Sequence, residues 1–232
     1  MAVNTEPIVL RNHIRVVSGT SLFDGHDASI NVMRRLMQRH GAEVIHLGHN
    51  RSVREMVEAA IQEDACAIAV SSYQGGHNEY FRYMVDMLRQ EGFAHVRIVG
   101  GGGGVIRPDE VRALHKYGVA ALYSADDGRR IGLDGMMRRL FERIDIPTVA
   151  ARGRACLPRA RDGRLVGWNG AAPPAASDVT ATNHAAVARA ITLAELGGVR
   201  CKWLREDLAD KAGAAARRPV VVGITGAAGA GD

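Results

Sequence analysis

Cysteine is scarce in this chain: Cys66, Cys156 and Cys201 stand far apart, with no C-x-x-C pair among them. That spacing excludes a disulfide framework and a thiolate zinc site, and it fits a reducing, cytoplasmic setting. Aromatic residues are only 5% of the sequence, which leaves few platforms for stacking single-stranded bases. No apolar run approaches the roughly 18 residues of a membrane span. The stretch before Ile14 carries no signal-peptide pattern. A basic stripe is missing too. The formal charge of +5 comes mostly from arginines scattered among acids, as in RSVREMVEAAIQED, so neither nucleic acid nor membrane is expected as a partner.

What the sequence does have is alternation. Its 47% hydrophobic content across 232 residues supports a full domain with a buried core plus a smaller appendage. From Ile14 to Phe141, apolar runs (14–18, 43–47, 66–72, 96–100 and 119–123) alternate with amphipathic segments (28–40, 52–64, 78–92, 108–118 and 132–144). In the first amphipathic segment Ile30, Met33, Leu36 and Met37 share one helical face. Asp27 and Ser52 stand at N-cap positions, Pro108 opens the fourth helix, and Gly41, Gly92 and Gly118 close helices. Five short β-α units predict an α/β fold: a flavodoxin-like, Rossmann-like five-stranded parallel sheet. A closed eight-stranded barrel would need about 250 residues.

Beyond Pro147 the composition shifts to Gly, Pro, Ala and Arg. The predicted organisation is a domain over 1–148 and a linker over 149–219 with helical segments at 184–198 and 201–216, a pair able to dock a partner. Residues 220–232 then form a strand entering a glycine-rich end.

The loop SGTSLFDGHDAS (18–29) sits where parallel sheets bind ligands, after strand one and beside the topological switch point. Asp24 and His26, separated only by Gly25, can hydrogen-bond while one ring nitrogen points outward. A carboxylate behind a histidine fixes its tautomer and raises its basicity, which suits either a general base or a metal ligand. A phospho-acceptor receiver is excluded, because strand three ends in Ser71 and Ser72 and strand five in Tyr123 and Ser124, without the required aspartate and lysine. A flavin site would use the loop hydroxyls but leaves His26 unexplained.

Asp24-Gly25-His26 with Ser29, then Ser71-Ser72-Tyr73, then Gly100 to Gly104, in that order after strands one, three and four, resemble the cobalamin-binding signature D-x-H-x-x-G, S-x-L, G-G over about residues 13–145. The stretches SSYQGGHNEYF, VGGGGGVIRPDEVRALHKYGV and YSADDGRRIGLDGMM are similar to the amino-terminal domain of fused acyl-CoA mutases of the isobutyryl-CoA type, relatives of methylmalonyl-CoA mutase. The resemblance implies that His26 coordinates cobalt from below in place of dimethylbenzimidazole, with Asp24 orienting it. It also implies that the displaced nucleotide tail enters a slot lined by Ser71 and by glycines among Gly101, Gly102 and Gly103. Gly25, Asp27, Ser29, Tyr73 and Ser124 complete the expected cofactor-binding set. Two positions depart from the pattern. Ser29 replaces its final glycine with another small residue, and Tyr73 replaces its leucine with a larger one expected to close or reshape the slot's mouth.

The implied activity is carbon-skeleton isomerisation of an acyl-CoA (isobutyryl/butyryl or methylmalonyl type) with adenosylcobalamin. The implied partners, as domains or subunits, are a substrate-binding barrel that takes the acyl-CoA and a P-loop GTPase chaperone; self-association is left open. Gly226-x-x-x-x-Gly231 matches the start of a P-loop, but Asp232 stands where its lysine belongs. GTP and magnesium are therefore expected only in a longer fused protein, and this chain is not expected to be active alone. The alternatives are a free-standing cobalamin carrier or sensor, and a flavodoxin-like protein without cobalamin whose slot Tyr73 has closed.

Overall fold

A computed structural model describes residues 8–103, 106–148, 176–196 and 206–210. Five strands, β1 (Arg15–Thr20), β2 (Glu43–His46), β3 (Ala67–Ser71), β4 (Arg97–Gly101) and β5 (Ala121–Tyr123), alternate with helices α1 (Ala28–Arg39), α2 (Val53–Gln62), α3 (His77–Gln90), α4 (Pro108–Tyr117) and α5 (Ala125–Ile144). All strand pairs are parallel, in the order β2-β1-β3-β4-β5. This is the flavodoxin-like arrangement expected from the β-α rhythm, with its switch point between β1 and β3.

Local chemistry sets the boundaries. Ser52 and Glu55 form a reciprocal capping box at the start of α2, and Pro108 occupies the first turn of α4. Gly92 takes the left-handed φ of 79° that ends α3, a conformation that costs a residue with a Cβ. Two expectations need correction. Asp27 does occupy the position before α1, but its backbone is helical and its side chain makes no capping bond. The fifth helix begins at Ala125, seven residues before the predicted start, because Ser124 and Asp127 build a second capping box; Gly132 (φ 70°, ψ 171°) is a break within it.

The two faces of the sheet differ in bulk. Val17, Ile68, Val70, Ile98 and Leu122 pack against α2, α3 and α4 through Val53, Met56, Met84, Leu88 and Leu114. On the other face Ala67, Ala69 and Ala121 meet Ile30, Met37, Met137, Leu140 and Phe141 of α1 and α5. Small sheet residues beneath large helix residues leave room on this side, near the carboxyl ends of the strands.

A sixth helix, α6 (His184–Leu196), packs back on the domain at the opposite end. Arg15, nearly buried at the start of β1, donates to Glu43 of β2 (2.8 Å), to the Glu63 carbonyl (2.7 Å), and to Thr192 and Glu195 of α6 (3.3 and 3.0 Å). Of the second predicted linker helix only 206–210 lies among the described residues; it is helical, and Leu208 packs against Ala190 and Leu193. The glycine-rich end with Gly226 and Gly231 lies outside them. No helix among the described residues is long and apolar enough to cross a membrane.

Near α6, His95 is buried with neither ring nitrogen hydrogen-bonded among the described residues. Burial, then the nearby Arg189 and Arg97, push its pKa down to about 4. The unfolded chain therefore binds a proton between pH 6.5 and 4 that the folded chain does not, so stability is complete above pH 6.5 and falls as pH drops toward 4. The loss is at most about 3 kcal/mol. Urea unfolding of wild type and His95→Leu across pH 4.5 to 7.5 is expected to show a shallower pH dependence in the variant.

Candidate functional site

The loop after β1 is stitched to two neighbouring connections. The Ser21 N–H donates to the Ser71 carbonyl (3.0 Å). Thr20 Oγ1 donates to the Asp24 carbonyl (2.6 Å) and accepts the Asn50 N–H (2.9 Å). Phe23 is held at φ 63°, a left-handed backbone that costs a non-glycine residue about 1 kcal/mol. Its N–H donates to Asn50 Oδ1 (2.7 Å), its carbonyl accepts from Gln74 Nε2 (3.0 Å), and its ring is exposed. The kink at Phe23 turns the next carboxylate inward.

Asp24 is fully buried, and its carboxylate organises the loop. Oδ1 accepts the His26 N–H (2.9 Å) and lies 2.8 Å from the His26 ring Nδ1, while Oδ2 accepts the Tyr73 N–H (2.5 Å). Burial by itself would raise the Asp24 pKa; the hydrogen bonds from Tyr73 and His26 outweigh it and hold the pKa below the ordinary 3.8. An ionised carboxylate only accepts, so Nδ1 carries the proton and the lone pair sits on Nε2. The His26 side chain is 68% exposed. Asp24 and His26 are thus an oriented donor nitrogen at the surface with a buried charge behind it.

Beside this arm opens a cavity of about 480 Å³, a usual size for a cofactor pocket. Ser29, Ser71, Tyr73, Gly101, Gly102, Gly103 and Ser124 all line it, whereas Asp24, Gly25, His26 and Asp27 do not. The two groups meet at Tyr73, whose ring centroid lies 5.4 Å from that of His26. Ser124 lines the cavity with its hydroxyl engaged by Asp127 in the α5 cap. Tyr73 does not fill the space.

The glycines have a reason internal to the chain. A Cβ at Gly102 would stand 1.7 Å from the Ser72 carbonyl oxygen, and one at Gly101 would stand 2.5 Å from that of Tyr123. Close approach of neighbouring backbone demands glycine here even before any ligand is considered. At Gly25 an added Cβ would meet nothing within 4 Å.

Several lining residues escaped the sequence reading. Met33 and Met37 lay on a helical face read as core, yet both reach the cavity; Leu133 and Met136 come from α5, inside a segment read as helical but given no part in the site. Tyr123 is the most informative. Its hydroxyl is buried against the cavity without a hydrogen-bond partner among the described residues, and burial pushes its pKa up to about 12. An orphaned buried hydroxyl in an otherwise apolar slot fits a ligand that brings a polar atom.

A family model described as the B12 binding domain matches residues 14–127. The 2-hydroxyisobutanoyl-CoA mutase small subunit of Aquincola tertiaricarbonis is 32% identical over 114 residues, 49% of this chain and 82% of that subunit. The chain belongs to the B12-binding domain family. Within that family this cobalamin-binding domain is similar to parts of larger acyl-CoA mutases. It is 48% identical over 220 residues to the fused isobutyryl-CoA mutase of Cupriavidus metallidurans, covering 95% of this chain and 18% of that protein. It is 63% identical over 139 residues to that of Geobacillus kaustophilus, covering 60% and 13%. The chain thus spans less than a fifth of the fused mutases it matches.

Proposed function

We propose that this domain holds cobalamin with its dimethylbenzimidazole displaced, His26 Nε2 being the lower ligand of cobalt and the nucleotide tail lying in the slot between the sheet and helices α1 and α5. The observation that carries this reading is the Asp24–His26 pair at the mouth of the cavity. Among the described residues no cluster of three His, Cys, Asp or Glu side chains could hold a metal ion by itself. A single oriented nitrogen suits an ion that arrives with its other positions already filled by a macrocycle.

The roles of the chain's own residues follow. Asp24 keeps the proton on Nδ1 and strengthens Nε2 as a donor. The apolar walls of Met33, Met37 and Met136 shield the tail from water, and the Tyr123 hydroxyl is available to its polar atoms. The bound cofactor, in its adenosyl form, would supply the radical chemistry of carbon-skeleton rearrangement, with the protein supplying position and exclusion of water.

The same reading makes residues 1–148 the cofactor unit, 149–219 a linker and 220–232 the start of a P-loop GTPase chaperone domain. The acyl-CoA, of isobutyryl/butyryl or methylmalonyl type, would bind in a partner barrel, in the cytoplasm. The test is a visible-spectrum titration with hydroxocobalamin and adenosylcobalamin. Wild type is expected to give a histidine-ligated spectrum. His26→Ala is expected to lose that spectrum and more than about tenfold in affinity, given that removing even a ligand's supporting residue costs about that much. Failure of wild type to bind either cobalamin would overturn the proposal.

A further inference from the structure

The two positions at which the chain departs from its family's pattern touch each other. Ser29 Oγ, on the first turn of α1, lies 2.7 Å from Tyr73 Oη, on the connection after β3. The Tyr73 ring also lies against Gly103, after β4, where an added Cβ would stand 2.6 Å from ring Cε1. Ser29, Tyr73 and Gly103 all line the cavity. The ring therefore reaches from the wall made by α1 to the wall made by the β4 loop. The same residue holds Asp24 through its main-chain N–H and flanks the His26 imidazole.

We infer that Ser29 and Tyr73 form a latch across the slot, one that must part before a corrinoid's nucleotide tail can enter and that a corrinoid without a tail never meets. The inference rests on the reading that the slot takes the tail. A ring bridging two walls and a tail running between them cannot share the same depth. Entry requires the Tyr73 side chain to rotate and give up its bond to Ser29. Because the main chain of Tyr73 stays fixed by Asp24, the movement is confined to the side chain and leaves the His26 arm in place. Serine in place of glycine, and tyrosine in place of leucine, then make sense as a pair: each hydroxyl gives the other its hydrogen bond.

One such bond is worth about a two- to tenfold change in rate. The experiment follows the approach to the histidine-ligated spectrum by stopped flow at saturating hydroxocobalamin and, separately, at saturating cobinamide, which has no nucleotide tail. The proteins are wild type, Tyr73→Phe, Ser29→Ala and the double variant. The expected result is that each single variant accelerates the cobalamin reaction about two- to tenfold and that the double variant is no faster than the singles, as befits two halves of one interaction. The cobinamide reaction stays unchanged in all four.

Equal acceleration with both corrinoids, additive effects in the double variant, or slower cobalamin entry in Tyr73→Phe would overturn the latch. So would variants indistinguishable from a wild type that does reach the histidine-ligated state, and in that case the proposed cofactor site would survive. A wild type that never shows that spectrum would remove both.

Discussion

Replacing Asp24 by alanine is expected to cost about 2–4 kcal/mol of folding stability and to disorganise the loop that presents His26. The buried carboxylate serves the Tyr73 N–H, the His26 N–H and the His26 ring. Deleting it leaves main-chain donors without an acceptor in a place water does not easily reach, at about 1–3 kcal/mol for each buried group left unsatisfied. Asp24→Asn keeps the volume but presents an amide NH2 to at least one of these donors, and is expected to fall between alanine and wild type. Cobalamin affinity is expected to drop about 10- to 100-fold in Asp24→Asn, the usual effect of removing the group that orients a metal-binding histidine.

Acid provides a second check. The folded-state pKa of Asp24 is depressed, so its contribution is fully present above the ordinary 3.8 and is lost as pH falls through the lower folded value. The stability difference between wild type and Asp24→Asn in urea should hold steady from neutral pH down to about 5 and shrink only in stronger acid. A difference that vanished already near pH 6 would overturn this assignment to Asp24.

Gly102→Ala is expected to be at least as damaging, at about 3 kcal/mol or more. The added methyl would stand 1.7 Å from the Ser72 carbonyl oxygen, which is backbone and cannot rotate aside. Ser72 is tied on both sides, its N–H to the Gly101 carbonyl (2.8 Å) and its hydroxyl to Ser21 (2.8 Å). Relief must therefore come from moving the β3 and β4 ends, which are walls of the slot. Tail-dependent cobalamin binding is expected to fail together with stability, in contrast to Gly25→Ala, where open space predicts little change in the fold. Thermal unfolding and the hydroxocobalamin titration on both variants would separate the cases; a Gly102→Ala protein as stable as wild type would show that the strand ends can yield.

The strands and the parallel order were legible because each apolar run is short and each helix start or stop has its own chemistry: Ser52 with Glu55, Pro108, Gly92. The start of α5 was not, because Gly128 looks like a breaker and Gly132 is one, and the turn that the capping pair Ser124 and Asp127 builds ahead of that break is signalled only by the pair itself. Asp27 misled for a related reason. It stands at a capping position, but Asp24 has already fixed the loop and the Asp27 side chain has no capping role left. The Asp24–His26 pairing could be read from a spacing of two residues. The Ser29–Tyr73 pairing could not, since 44 residues separate them and only the sheet order brings β3 beside β1.

The attachment of α6 through Arg15 fastens that helix at the amino-terminal end of β1, whereas His26 and the slot lie beyond the carboxyl ends of the strands. A pull on α6 would therefore be taken up at the base of β1, a six-residue strand away from the loop that presents His26.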